Sequence, residues 1–244
     1  PHGLIDGKGL LLGKGYERGS YQTFGNLNLI FDEAPSAIPG DYHRYLDLEN
    51  ALSGVTYSHD GVTYTREYLA NYPDNVMAFK LTASEPGKLS FTMNLEPLVT
   101  EKITSGKETK VNVKKEIEQD NTLTVTANVK SNNMKLASRV RVLNDGGTLS
   151  ATENKDIHID GADSVVLLMT IGTDYKNEYP NYVGEDPLPG VIERIEEATK
   201  KGYETLKERH IDDYKKLFDT VRIDLGQFDN GLPTNELLGQ YQEG

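Results

Sequence analysis

Apolar side chains in this chain change their period once. From residue 21 to about residue 173 they recur at every second position, and beyond Pro189 at every third and fourth. A period of two places neighbours on opposite faces of a strand; a period near 3.6 gathers them on one face of a helix. "YQTFGNLNLIFD" alternates at Leu27, Leu29 and Phe31, "GKLSFTMNLEP" at Leu89, Phe91, Met93 and Leu95, and "NTLTVTANVK" at Leu123, Val125 and Ala127. Each predicts a strand with one buried face. "DSVVLLMTIGT" is an apolar run over Val165 to Ile171 and predicts an interior strand covered on both sides. So many strands need a second layer, and the expected fold is mainly β, a large antiparallel sandwich.

After Pro189 the stretch "VIERIEEATKKGYETLKERHIDDYKKLFDTV" spaces Val191, Ile192, Ile195, Ala198, Tyr203, Leu206, Ile211, Tyr214, Leu217 and Phe218 as a helical stripe opposite charges. Pro187 and Pro189 suit its entry, and Gly202 marks a break between two helices. "VRIDLG" predicts a short return strand, and the polar tail that follows reads as cut where a new helix starts. The expected organisation is a loop over 1–20, a sandwich over 21–180, a helical linker over 188–219, and a short strand with a truncated tail over 220–244.

The tetrapeptide GVTY occurs twice in "GVTYSHDGVTY", residues 54 to 64. With Asp60-Gly61 as a two-residue turn, Tyr57 faces Tyr64, Thr56 faces Thr65 and Val55 faces Arg66, so the repeat predicts a hairpin rather than a ligand motif. His59, beside the turn, is expected to be solvated.

Composition narrows the function. The net charge is -12 and no basic stripe offsets it, which argues against nucleic acid as a partner. No run of about 18 apolar residues predicts a membrane helix, and the first residues do not read as a signal peptide. There are no cysteines, hence no disulfide, thiolate nucleophile or cysteine-ligated zinc. The five histidines, at 2, 43, 59, 158 and 210, lack close ligand spacing, and neither metal nor cofactor is expected. For His210, between helix charges, a solvated or interdomain role is expected. "GLIDGKG" and "GLLLGKG" miss the phosphate-loop spacing and its Ser or Thr, and read as loop. No acid/base pair follows from spacing among the 38 carboxylates, so no catalytic residue is nominated.

Several stretches together resemble the N-terminal domain of glycoside hydrolase family 95. They are "YQTFGNLNLIF" (21–31) and the segment 42–96 with "YHRYLDLENALSGVTYSHDGVTYTREYLANYPD" and "PGKLSF", then "GADSVVLLMTIGTDY" (161–175), "GEDP" (184–187), "HIDDYKKLFDTVRIDLG" (210–226) and "LPTNELL" (232–238). The resemblance covers about residues 21 to 240; residues 1–20 have no counterpart in it.

The resemblance implies a fragment: a β super-sandwich and helical linker ahead of an (α/α)6 catalytic barrel that lies beyond the chain. It implies a parent that is an inverting α-L-fucosidase on α-1,2-linked fucose, with the catalytic groups in the barrel. This chain alone is expected to be inactive and to buttress that barrel. The expected docking face is Leu206, Tyr214, Leu217 and Phe218. Asp47 and Asp74 are expected to close turns, and Arg44 and Arg66 to pair with Asp47 or Glu67. Tyr42, Tyr45, Tyr57, Tyr64 and Tyr68 are expected to pack, with glycan stacking as the sharper alternative. The expected partner is therefore the barrel, with glycans as the alternative. A bacterial, secreted or periplasmic setting is implied by the resemblance alone. The competing reading is a free-standing carbohydrate-binding or adhesion sandwich.

Overall fold

A computed structural model describes residues 24–33, 41–97, 100–102, 108–110, 112–128, 133–223, 226 and 231–243. The glycine-lysine stretches at 3–15, His2 and the expected 1–20 loop lie outside the described residues. The strands are β1 (Gly25–Phe31), β2 (His43–Asp47), β3 (Leu52–His59), β4 (Val62–Asn71), β5 (Val76–Ala83), β6 (Leu89–Pro97), β7 (Thr100–Lys102), β8 (Glu108–Lys110), β9 (Asn112–Glu118), β10 (Thr122–Asn128), β11 (Lys135–Asp145), β12 (Thr148–Ala151), β13 (Ile157–Ala162) and β14 (Ser164–Thr173). Among the described residues three helices follow: α1 (Pro187–Lys201), α2 (Tyr203–Phe218) and α3 (Thr234–Glu243).

A sheet of order β1-β6-β13-β12 packs on a larger one of order β2-β3-β4-β5-β14-β11-β10-β9, and β7-β8 is a separate ribbon. Every strand pairing is antiparallel, which gives the expected mainly β sandwich. Its core joins Leu89, Phe91, Met93 and Leu95 of the small sheet with Leu81, Leu123, Val125, Val140, Leu167 and neighbours of the large one. The alternating residues read from the sequence are this core.

The large sheet is apolar on both faces at its centre. On β14, Val165, Leu167 and Met169 point into the sandwich, whereas Leu168 and the half-buried Val166 lie among Leu69, Ala78, Ile195 and Leu206 under the helices. This is why the segment reads as a continuous apolar run. The GVTY repeat is the expected hairpin: Val55, Thr56 and Tyr57 pair with Arg66, Thr65 and Tyr64. Asp60 and Gly61 both have positive φ, 50° and 81°, as the type I′ turn requires. His59 beside it is partly exposed and lies 3.7 Å from the Asp60 carboxylate.

One expectation fails in the described part of the tail. Val221, Arg222 and Ile223 form no strand and are exposed, and among the described residues no strand pairs with them to supply a ladder. Residues 224 and 225 of the same stretch lie outside the described residues.

At the edge of the large sheet, Tyr45 of β2 lies across Gly54 of β3, its register partner. A Cβ on Gly54 would sit 2.5 Å from Tyr45 Cζ and 2.6 Å from the Arg66 carbonyl oxygen. Gly54→Ala is therefore expected to lower stability by about 1–3 kcal/mol through forced displacement of the ring and strand. Urea denaturation measures it, and an unchanged midpoint would refute the close packing.

Candidate docking surface

The helices begin where local chemistry dictates. Asp186 caps α1 by accepting a hydrogen bond from Leu188 N at 3.0 Å, Pro187 occupies the first turn, and Gly202, with φ 75°, ends α1 and opens α2. Burial selects one stripe of each helix: Val191, Ile195 and Ala198 on α1, then Tyr203, Leu206 and His210 on α2. They close over Leu52, Leu69, Val76, Ala78 and Leu168 of the large sheet.

Polar contacts fix the helices in register on the sheet. Arg141 of β11 makes a bidentate pair with Glu196, at 3.0 and 2.6 Å. Beside it Arg139, almost wholly buried, holds Glu118 at 2.7 and 2.9 Å and Thr124 at 2.8 Å. Glu67 of β4 accepts from the Tyr203 hydroxyl at 2.7 Å and from Lys207 at 2.7 and 2.9 Å. At the end of β4, Asn71 donates to the Leu206 carbonyl at 2.7 Å, and in the turn after it Asp74 pairs with Arg209 at 2.9 Å and Lys201 at 3.4 Å. His210 Nε2 lies 3.0 Å from the Ala51 carbonyl oxygen, an acceptor only, so the ring carries a proton there. His210, expected to be solvated or interdomain, is thus a buried contact between α2 and the turn before β3.

The stripe continues past the sheet. Residues 203, 206, 210, 214 and 217–218 follow one another at three- and four-residue steps on α2. Leu206 is fully buried and Tyr214 still reaches back, donating to the Leu48 carbonyl at 2.7 Å. One turn on, Leu217 is 75% exposed and Phe218, stacked on Tyr214 with ring centroids 5.1 Å apart, is 42% exposed. Leu48 and, directly after the helix, Val221 and Ile223 are exposed as well. The expected face is therefore divided. Leu206 is corrected from docking residue to core residue, because the sheet lies beneath that part of α2; Leu217 and Phe218, beyond the contact of Tyr214 with the β2–β3 turn, are exposed.

Other expected pairings changed partners. Arg66 pairs with neither Asp47 nor Glu67: it donates to the Tyr57 hydroxyl at 2.9 Å and lies 4.4 Å from the Phe31 ring centroid. The reason is alternation, since Arg66 faces the sandwich while Glu67, its neighbour, faces the helices. Asp47 does close its turn, accepting from Glu49 N and Asn50 N. Asp74 instead anchors α2, and Asn71 holds that turn by accepting from Asp74 N at 2.7 Å. Of the five tyrosines, Tyr57 is buried and stacks on Tyr64 at 5.2 Å, Tyr45 and Tyr68 are half-buried, and Tyr42 is exposed. Packing accounts for most of them.

Electrostatics makes the docking pH-dependent. Burial pushes the Glu67 carboxyl up, but hydrogen bonds from Lys207 and Tyr203 outweigh it, leaving the net value below the ordinary range. For Asp74 burial likewise pushes up, and Arg209 with Lys201 pulls the net value down. A carboxyl depressed in the folded state stabilises fully above its unfolded value, about 4, and loses that contribution as pH falls through the folded one. Stability is thus expected to fall with acidification, and less steeply in the Glu67→Gln/Asp74→Asn double variant. That variant starts lower at neutral pH, and the two curves of thermal midpoint against pH converge once both carboxyls are protonated. Parallel curves would contradict the assignment.

Comparison with known proteins places this geometry. The family described as glycosyl hydrolase family 65, N-terminal domain, matches residues 9–178, and so takes in part of the segment 1–20 that had no counterpart in the sequence resemblance. Alpha-L-fucosidase 2 of Arabidopsis thaliana is 32% identical over 238 residues, which are 90% of this chain and 27% of that protein. Probable alpha-fucosidase A of Aspergillus niger is 30% identical over 247 residues, 96% of this chain and 29% of that protein. The likeness to fucosidases is thereby upheld, through plant and fungal relatives, and the chain spans less than a third of their length. A putative kojibiose phosphorylase from the human microbiome shares the fold at TM-score 0.52 and 15% identity, over 80% of this chain and 28% of that one. The chain belongs to the family of glycosyl hydrolase family 65 N-terminal domains.

Proposed function

We propose that this chain is the non-catalytic N-terminal domain of a family 95 α-L-fucosidase directed at α-1,2-linked fucosyl glycans, and that it buttresses the catalytic barrel. The observation that carries the proposal is the exposed end of the α2 stripe, where Leu217 and Phe218 extend a core-facing row into solvent. A row that is core at one end and bare at the other fits a helix shared between two bodies. The share of the fucosidase relatives covered, 27% and 29%, supports a larger parent.

Inverting hydrolysis needs one carboxylic acid that stays protonated to donate to the leaving oxygen and one carboxylate that activates water. Among the described residues, every carboxyl whose pKa departs from its ordinary value departs downward, held as an anion by hydrogen bonds or cations. That is the reverse of an acid poised to give up a proton, and it supports a structural task for the domain.

The test compares this 244-residue chain with the polypeptide extended to its natural stop codon. Fucose release from 2'-fucosyllactose is expected from the extended form alone. Release by neither form, with glycan binding by the short chain, would favour a free-standing binding module. Leu217→Asp/Phe218→Asp is expected to shift the stability of the short chain by no more than about 0.5 kcal/mol, as exposed sites do. In the extended form it is expected to cost about 3–5 kcal/mol, from burying charge without partners. Equal effects in both would overturn the docking role.

A further inference from the structure

Between β14 and α1 the loop "YKNEYPNYV", residues 175 to 183, exposes three tyrosines that packing does not use. Tyr175 is 58%, Tyr179 86% and Tyr182 44% exposed. The Tyr175 and Tyr182 rings are parallel to within 3°, with centroids 6.5 Å apart, and Tyr179 meets Tyr182 at 82° and 6.4 Å. Tyr175 and Tyr182 are thus a parallel pair, and Tyr179 stands upright beside Tyr182. No hydroxyl of the three has a hydrogen-bond partner among the described residues.

The loop is held in shape by its backbone. Tyr175 and Val183 form an antiparallel bridge, Lys176 N donates to the Tyr182 carbonyl at 3.1 Å, and Tyr182 N to the Glu178 carbonyl at 2.9 Å. At its root Gly184 N donates to the Asp174 carbonyl, and the buried Asp174 carboxylate accepts from Lys135 N at 2.9 Å. The rings therefore stand preorganised in water, which reduces the ordering cost of any ligand they take.

We infer that this corner is a carbohydrate-binding platform, taking one pyranose ring of a glycan with its apolar C–H face on an exposed tyrosine face of the parallel pair and its edge against Tyr179. Tyrosine combines an apolar ring face with a polar tip, which suits a sugar that is apolar on one face and hydroxylated around its edge. Asn177 and Asn181, and Lys176 with Glu178, which pair with each other at 2.8 Å and stay exposed, lie between the tyrosines in sequence and carry donors and acceptors for hydroxyls; a protein interface is instead depleted of charge at its core. The choice of a glycan rests on the fucosidase reading above.

The test follows tyrosine ring resonances of the 244-residue chain and of the extended polypeptide during titration with 2'-fucosyllactose and with lactose. Saturable shifts are expected at Tyr175, Tyr179 and Tyr182 and at no other tyrosine of the 244-residue chain, with either sugar there and with lactose in the extended form. Tyr179→Ala should weaken binding about tenfold and Tyr179→Phe, which keeps the ring, less than about twofold. Circular dichroism confirms that both variants fold. Silent tyrosines, or shifts indifferent to Tyr179→Ala, overturn the platform, as does a Phe variant as weak as the Ala variant. Fucose release in the extended form separates the two readings: release with silent tyrosines sinks the platform alone, and shifts without release support the platform while sinking the fucosidase.

Discussion

A sheet that is apolar on both faces needs two covers, and the rest of the structure follows from that need. The β5-β14-β11 centre of the large sheet buries Leu81, Val140 and Leu167 against the small sheet, and Ala78 and Leu168 beneath α1 and α2. Leaving the second face bare would forfeit about 1.5–3 kcal/mol for each large apolar side chain. The helices are therefore a layer of the domain rather than a tether, and the ion pairs at Glu67, Asp74 and Glu196 set where on the sheet they lie.

That requirement explains what the sequence made legible. Alternation gave away the inward residues of β6 and β10, the unbroken apolar run marked β14, and Asp60-Gly61 marked the hairpin. Gly202 marked the helix break. Each is a local signal, carried by period, turn chemistry or backbone freedom.

What stayed hidden depends on distances between elements remote in the chain. The α2 stripe looks uniform from Leu206 to Phe218, and only the extent of the sheet beneath it separates its buried end from its exposed end. Glu67 and Asp74 look like strand and turn residues until α2 brings Lys207 and Arg209 against them, 140 and 135 positions away. The tyrosines of residues 175–183 carried no period at all, and the ones first considered for sugar contact, on β2 to β4, are mostly spent on packing. Charge patterning did hold one usable hint: Lys201 at the end of α1 and Lys207 and Arg209 on the two flanks of the buried stripe of α2 can meet carboxylates of a supporting surface.

The central claim is that one helical stripe belongs to two bodies, the sandwich at its start and a further domain at its end. Hydrogen exchange, followed amide by amide in the 244-residue chain and in the extended polypeptide, tests it most directly. The account expects residues 214–223 to exchange at least about tenfold more slowly in the extended form, while α1 and the first turns of α2 keep the same rates. Equal exchange at residues 214–223 in both forms would contradict it.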